Sequence, residues 1–83
     1  MTQLEQTIIA NARQVKEAVV AYYRKRSEGQ TNDEDYNDYL VHYHAMNALL
    51  VLGHQAESGI SREAAATLRE IEDEEAAGFR ANP

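Results

Sequence analysis

Helix breakers are almost absent from this chain. Its only proline is Pro83, and its four glycines stand at positions 29, 53, 59 and 78. Proline and glycine are the strongest interrupters of regular structure, so the segments between them can be long. Three of the glycines fall where a helix is expected to stop. Along the segments, apolar residues recur at three- and four-residue spacing, the period of an α-helix. No stretch alternates with the period of two that marks a strand. The pattern predicts an all-α fold in a single helical domain, 1–83.

The first helix is expected over about 3–27. Thr2-Gln3-Leu4-Glu5 has capping-box spacing, in which the Thr hydroxyl and the Glu carboxylate satisfy free backbone N–H groups reciprocally. Leu4, Ile8, Ala12, Val15, Val19 and Tyr22 then share one face, with Ile9, Val20 and Tyr23 beside it. Arg24-Lys25-Arg26 occupy the last turn, where cations suit the negative end of the helix dipole, and Gly29 follows as a cap. A second helix is expected over about 32–58. Thr31-Asn32-Asp33-Glu34 repeats the T-x-x-E spacing, and Gly59 ends the run. A short loop between two helices of matched length predicts a long antiparallel helical hairpin. Ser61 caps a shorter third helix over about 62–77, with Ala65, Leu68 and Ile71 on its apolar face and Gly78 as its stop. Residues 79–83 are expected to fray.

Within helix two, Tyr36, Tyr39, Tyr43, Met46, Leu50 and His54 share one face, the expected seam against helix one. Val41, Ala45, Ala48, Leu52 and Ala56 lie nearly opposite, and Leu49 fills a flank. A helix that is apolar almost all round is a buried helix. A chain of 83 residues has a thin core and no cysteine to staple it. Oligomerisation is therefore expected to complete the bundle, most simply as a homodimer. Val41, Ala45, Ala48, Leu49, Leu52 and Ala56 are the expected oligomer interface.

The net charge is −6 and is unevenly spread: residues 1–30 carry +2 and residues 31–83 carry −8. Phosphate backbones repel such a chain, which opposes direct nucleic-acid binding. A protein partner with a basic surface is favoured instead. Without cysteine there is no disulfide, no thiolate nucleophile and no Cys-based zinc site. The opening residues lack the basic start and continuous apolar run of a signal peptide. The longest mostly apolar stretch, Ala45 to Gly53, is too short to span a membrane. These features predict a cytoplasmic protein with no membrane association.

Chemistry is poorly represented. His42 and His44, two residues apart, diverge on a helix, and the paired Glu-x-x-His motifs of carboxylate-rich metal bundles are missing. No Ser/His/Asp order, phosphate loop or dinucleotide fingerprint is present. The expectation is no enzyme, no metal and no cofactor. Two features remain. The five tyrosines should gather at the loop end of the hairpin, beside charged residues, a composition common in interface hot spots. The run Glu70-Ile71-Glu72-Asp73-Glu74-Glu75 packs five acids into six positions.

Together they predict a non-enzymatic interaction protein, an inhibitor or regulator. It would meet its partner through Tyr36, Tyr39, Tyr43, Glu70, Glu72, Asp73, Glu74 and Glu75. The acids would mask a nucleic-acid-binding surface by occupying phosphate positions. The profile is common among phage and mobile-element accessory proteins, an association of composition and not a motif. The alternative is a small-ligand binder or minor enzyme at a subunit interface, its pocket lined by His44, His54 and the tyrosines, with Arg24 or Arg26 engaging an anion.

Overall fold

The computed structural model describes residues 1–83 as three helices and no strand, an all-α fold. They are α1 (Gln3–Ser27), α2 (Asp33–Leu50) and α3 (Arg62–Ala81), with a short 3-10 turn at Val51–Gly53. α1 begins as its capping box predicts. The Thr2 hydroxyl accepts the Glu5 N–H at 3.1 Å, and Glu5 Oε1 accepts the Thr2 N–H at 2.9 Å. The other Glu5 oxygen accepts the N–H of Ser61 at 2.6 Å. Ser61 in turn caps α3, its hydroxyl accepting the Ala64 N–H. One buried carboxylate therefore ties the starts of two helices together. Backbone N–H donation from Ser61 and Thr2 holds the Glu5 carboxyl below the usual carboxylate range.

α1 packs against both other helices, whereas α2 and α3 touch each other least. α3 lies on the α1 of its own chain and runs in the same direction. Ser61 meets Glu5, Glu74 sits beside Arg13 and Lys16, and Phe79 lies on Tyr23. The core comprises Ile9, Ala12, Val19 and Tyr23 from α1, Met46 and Leu50 from α2, and Ala64, Leu68 and Ile71 from α3. The buried face of α1 is thus rotated from the expected stripe. Leu4 is 70% exposed, while Ile9 and Tyr23, expected beside the stripe, are buried. The reason is geometric: with neighbours on two sides, the direction between them is the best covered. α2 is not the buried central helix its composition suggests, since only Met46 and Leu50 are buried along it.

The boundaries of α2 differ from expectation at both ends. Its cap is Asn32 rather than Thr31, in a box with Asp35 at 2.8 and 3.1 Å. Asn caps at least as well as Thr, and Lys25 grips Asp35 at 2.9 Å, which sets the register from outside the helix. The expected continuation to 58 fails after Leu50. The Leu52 carbonyl accepts the Ser58 hydroxyl at 3.1 Å, and the Gly53 carbonyl accepts an Arg69 N–H at 2.8 Å. A continuing helix would have offered those carbonyls to backbone donors four residues on. Gly53 is buried, and a Cβ there would lie 3.1 Å from both the Ala65 carbonyl and Leu68 Cβ. The missing side chain lets the turn touch α3.

α3 runs on to Ala81, so the expected stop near 77 and the frayed 79–83 tail are corrected. Phe79, Arg80 and Ala81 are helical. Gly78 sits inside the helix, where a Cβ would lie 2.8 and 2.9 Å from the two methyl carbons of Val20. It marks a close helix crossing and not a terminus. Asn82 closes the end by donating to the Gly78 carbonyl at 2.8 Å. The radius of gyration is 13.6 Å and the extents are 41 × 22 × 18 Å. A compact chain of this length would have a radius near 12 Å, so the bundle is elongated and rich in surface.

Two tests follow from this packing. Gly78→Ala is expected to destabilise the fold by about 1–2 kcal/mol despite better helix propensity, because Val20 is stiff and cannot swing aside. In a Val20→Ala background the same change should be neutral or stabilising. Urea denaturation of the double-mutant cycle decides it, and equal cost in both backgrounds rules the contact out.

The second test is acid titration of Glu5. Folding lowers its pKa, so its contribution is complete above the ordinary value of 4.5 and is lost as pH falls through the lower folded value. Glu5→Gln should lower the melting temperature at neutral pH and flatten its fall below pH 4.5. Parallel curves for the two proteins count against the clamp.

Candidate protein-binding surface

The tyrosines gather where the end of α1 meets the start of α2, with Tyr39 as their hub. Its ring stacks on Tyr22 at 4.4 Å between centroids, with planes 19° apart. Tyr43, Tyr23 and Tyr36 lie at 5.5, 5.8 and 6.1 Å from it. Spacing of three and four residues along α2 puts Tyr36, Tyr39 and Tyr43 on one face, and α1 supplies Tyr22 and Tyr23 opposite. Tyr36, at 49% exposure, is the outermost ring. An amphipathic ring suits this position, with its body packed and its hydroxyl in water.

Tyr23 is the exception, being fully buried. Its hydroxyl donates to Glu75 Oε1 at 2.6 Å. Burial pushes its pKa well above the usual tyrosine range, and the bond to Glu75 and the neighbouring Tyr39 push it the same way. Phe79 meets the Tyr23 ring edge-on at 5.2 Å. The Arg26 guanidinium lies over both, 5.3 Å from the Tyr23 centroid and 5.5 Å from that of Phe79. From the sequence Phe79 is expected beyond the end of helix three, folding back or docking on a neighbour, and not inside the helix. A signal was present: positions 64, 68, 71, 75 and 79 continue one helical period straight past Gly78. Gly78, as a helix stop, masks that period.

The acid run divides. Glu72 bonds to His54, Glu74 lies 3.4 Å from Lys16 and 3.6 Å from Arg13, and Glu75 holds Tyr23. Ile71 is buried. Only Glu70 and Asp73, one helical turn apart, are exposed and unpaired. Glu72 and Glu74 remain about half exposed in their pairs, so water reaches most of the run, and Glu75 is the acid most engaged within the fold.

The histidines do not assemble. His54 lies beyond the end of α2 and pairs with Glu72, not with a tyrosine hydroxyl. It lines a cleft of about 560 Å³ with Gly53, Arg62 and Arg69. The tyrosines line a different cleft, with Glu75 and Phe79. His44 is exposed and meets Tyr43 edge-on. His42 Nδ1 donates to the Asp38 carbonyl at 2.9 Å. Within one chain, His44, His54 and the tyrosines therefore do not line a common pocket. Nor do three His, Asp or Glu side chains converge anywhere in a metal-holding geometry.

Of the expected oligomer-interface residues, Val41, Ala45 and Ala48 share an exposed face of α2, with Val41 67% exposed. Leu49 and Leu52 are half-buried against the core. Ala56 lies in the loop after the 3-10 turn and does not extend that face, because the helix has already ended. No helix is long and apolar enough to cross a membrane.

No family model, no curated protein and no solved structure matches this chain. Geometry therefore carries any functional assignment alone.

Tyr23→Phe deletes the donor to Glu75. It is expected to cost about 1–2 kcal/mol, below the full value of a bond to a charged group, because Glu75 can regain water. Folding raises the Tyr23 pKa, so its contribution is complete below the ordinary value of 10.0 and is lost as pH rises beyond it. The variant should flatten the alkaline limb of a Tm-versus-pH series above pH 10, and an unchanged limb excludes this assignment.

Proposed function

We propose that this chain is a non-enzymatic interaction protein that regulates another protein by binding it. In this reading α1 and α2 form an antiparallel hairpin whose turn, at residues 28–32, presents the tyrosine cluster. The observation that carries it is the open aromatic end, where Tyr36 and Phe79 are each about half exposed. Aromatic surface exposed at one end of a small bundle is the kind of patch that marks an interaction site. Tyrosine beside charge is a composition that partners use as an anchor. Glu70 and Asp73 add unpaired negative charge on the outer face of α3, and the net charge of −6 favours a partner with a basic surface. Lack of cysteine supports action in the reducing cytoplasm.

The same reading includes a homodimer through the exposed α2 face of Val41, Ala45 and Ala48. These small and β-branched residues allow two helices to approach closely.

Affinity capture with matched variants tests the partner. A protein retained by wild type should be lost with Tyr36→Ser combined with Glu70→Lys and Asp73→Lys, at unchanged melting temperature. Equal retention counts against this surface. Sedimentation equilibrium tests the dimer: twice the chain mass of 9.4 kDa is expected, falling to the single mass with Val41→Lys. A monomer at high concentration removes that part of the proposal.

A further inference from the structure

Because α2 and α3 both pack on α1 and barely on each other, a gap is left between them at the tyrosine end. It forms a cleft of about 310 Å³. Tyr39 and Tyr43 line it from α2 and Phe79 from α3, with Glu75 and the buried Tyr23 completing it and Arg80 beside them. A volume at the lower bound of ligand pockets suits one side chain better than a cofactor.

We propose that this cleft is a socket for a single arginine side chain of a protein partner. Four observations support that occupant. Aromatic faces carry negative charge density and attract a cation held above them. Glu75 spends one carboxylate oxygen on the Tyr23 hydroxyl and has no protein partner for the other, which leaves an acceptor for a guanidinium N–H. Tyr23 and Phe79 already hold one guanidinium, that of Arg26, at 5.3 and 5.5 Å, so these rings accept the group although its charge repels a second cation. The net charge of −6 draws cations to the protein. Arginine is preferred to lysine because its planar, weakly hydrated head stacks on rings and bonds to carboxylates.

Arg80 opposes this occupant. It is exposed and forms no ion pair, so its charged head can remain in water while its stem borders the cleft. Its charge still disfavours a cationic guest, and that sign makes the proposal decidable. Only the source of the guest rests on the protein-binding role proposed above. The cation preference of the cleft stands or falls separately.

The probe is N-acetyl-arginine-N-methylamide, titrated into the full chain and followed by NMR. Phe79 is the only phenylalanine, so its ring signals report on the cleft without overlap from another such residue. Saturable shifts at Phe79 with a millimolar dissociation constant are expected, with the neutral citrulline analogue at least about tenfold weaker. Glu75→Gln should weaken binding about three- to tenfold, and Arg80→Gln should tighten it by a similar factor. Phe79→Leu keeps apolar bulk at a half-exposed site and should fold normally by circular dichroism, yet lose most of the affinity, read then at Tyr43.

Equal response to arginine and citrulline overturns the socket. So does a reversal of the two charge variants, which would mark an anionic guest. Failure here leaves the capture test untouched, since Tyr36, Glu70 and Asp73 do not line the cleft. Loss of the capture result likewise leaves the titration standing.

Discussion

The fold depends on α1 being covered from two sides. Ala12 and Val19 are fully buried, and they lie on the face that α2 and α3 approach together. Neither partner helix could build a core without α1, because α2 buries only Met46 and Leu50, and α3 only Ala64, Leu68 and Ile71. α3 is held to α1 near both ends. Glu5 anchors Ser61 at one, while Gly78 sits flush on Val20 and Phe79 meets Tyr23 at the other. Directional bonds and close packing here serve one purpose, which is to position a thin apolar face accurately. In a chain this small, little area is buried to compensate for misalignment.

That same arrangement creates the surfaces proposed for function. Two helices drawn to a common third leave a groove between themselves, and aromatic rings line its tyrosine end. At the far end the 3-10 turn is tied to α3 by the Arg69 bond to the Gly53 carbonyl and the His54–Glu72 pair, beside the cleft that His54 lines. Surface charges are likewise sorted by packing. The acids that face α1 or the turn are taken by Tyr23, Lys16, Arg13 and His54, while Glu70 and Asp73, on the outward face, stay exposed and unpaired.

Much of the fold is legible in the residues. The caps at Thr2 and Ser61, the ends of α1, the left-handed Gly29 and the meeting of the tyrosine groups all follow from spacing within a few residues. The residues mislead where a local signal competes with a distant one. Gly78 looks like a stop but is a contact point, because Val20 demands the space its side chain would fill. The apolar pattern past Leu50 looks helical, yet Ser58 and Arg69 capture the carbonyls the helix would need. The acid run looks like one solvated face, and its separation into paired and free acids cannot be read without knowing which cations lie across the interface.

The sequence alone therefore determined helix type, helix number and most termini, since capping and periodicity act over three or four residues and need no tertiary information. The tertiary structure alone decided which face of α1 is core, how α2 ends, how far α3 extends, and which tyrosines and acids remain outside. Those outcomes depend on residues as distant in the chain as Arg13 and Glu74, sixty-one positions apart. Contacts of that span are set by how three helices share one core, a competition that no single segment records.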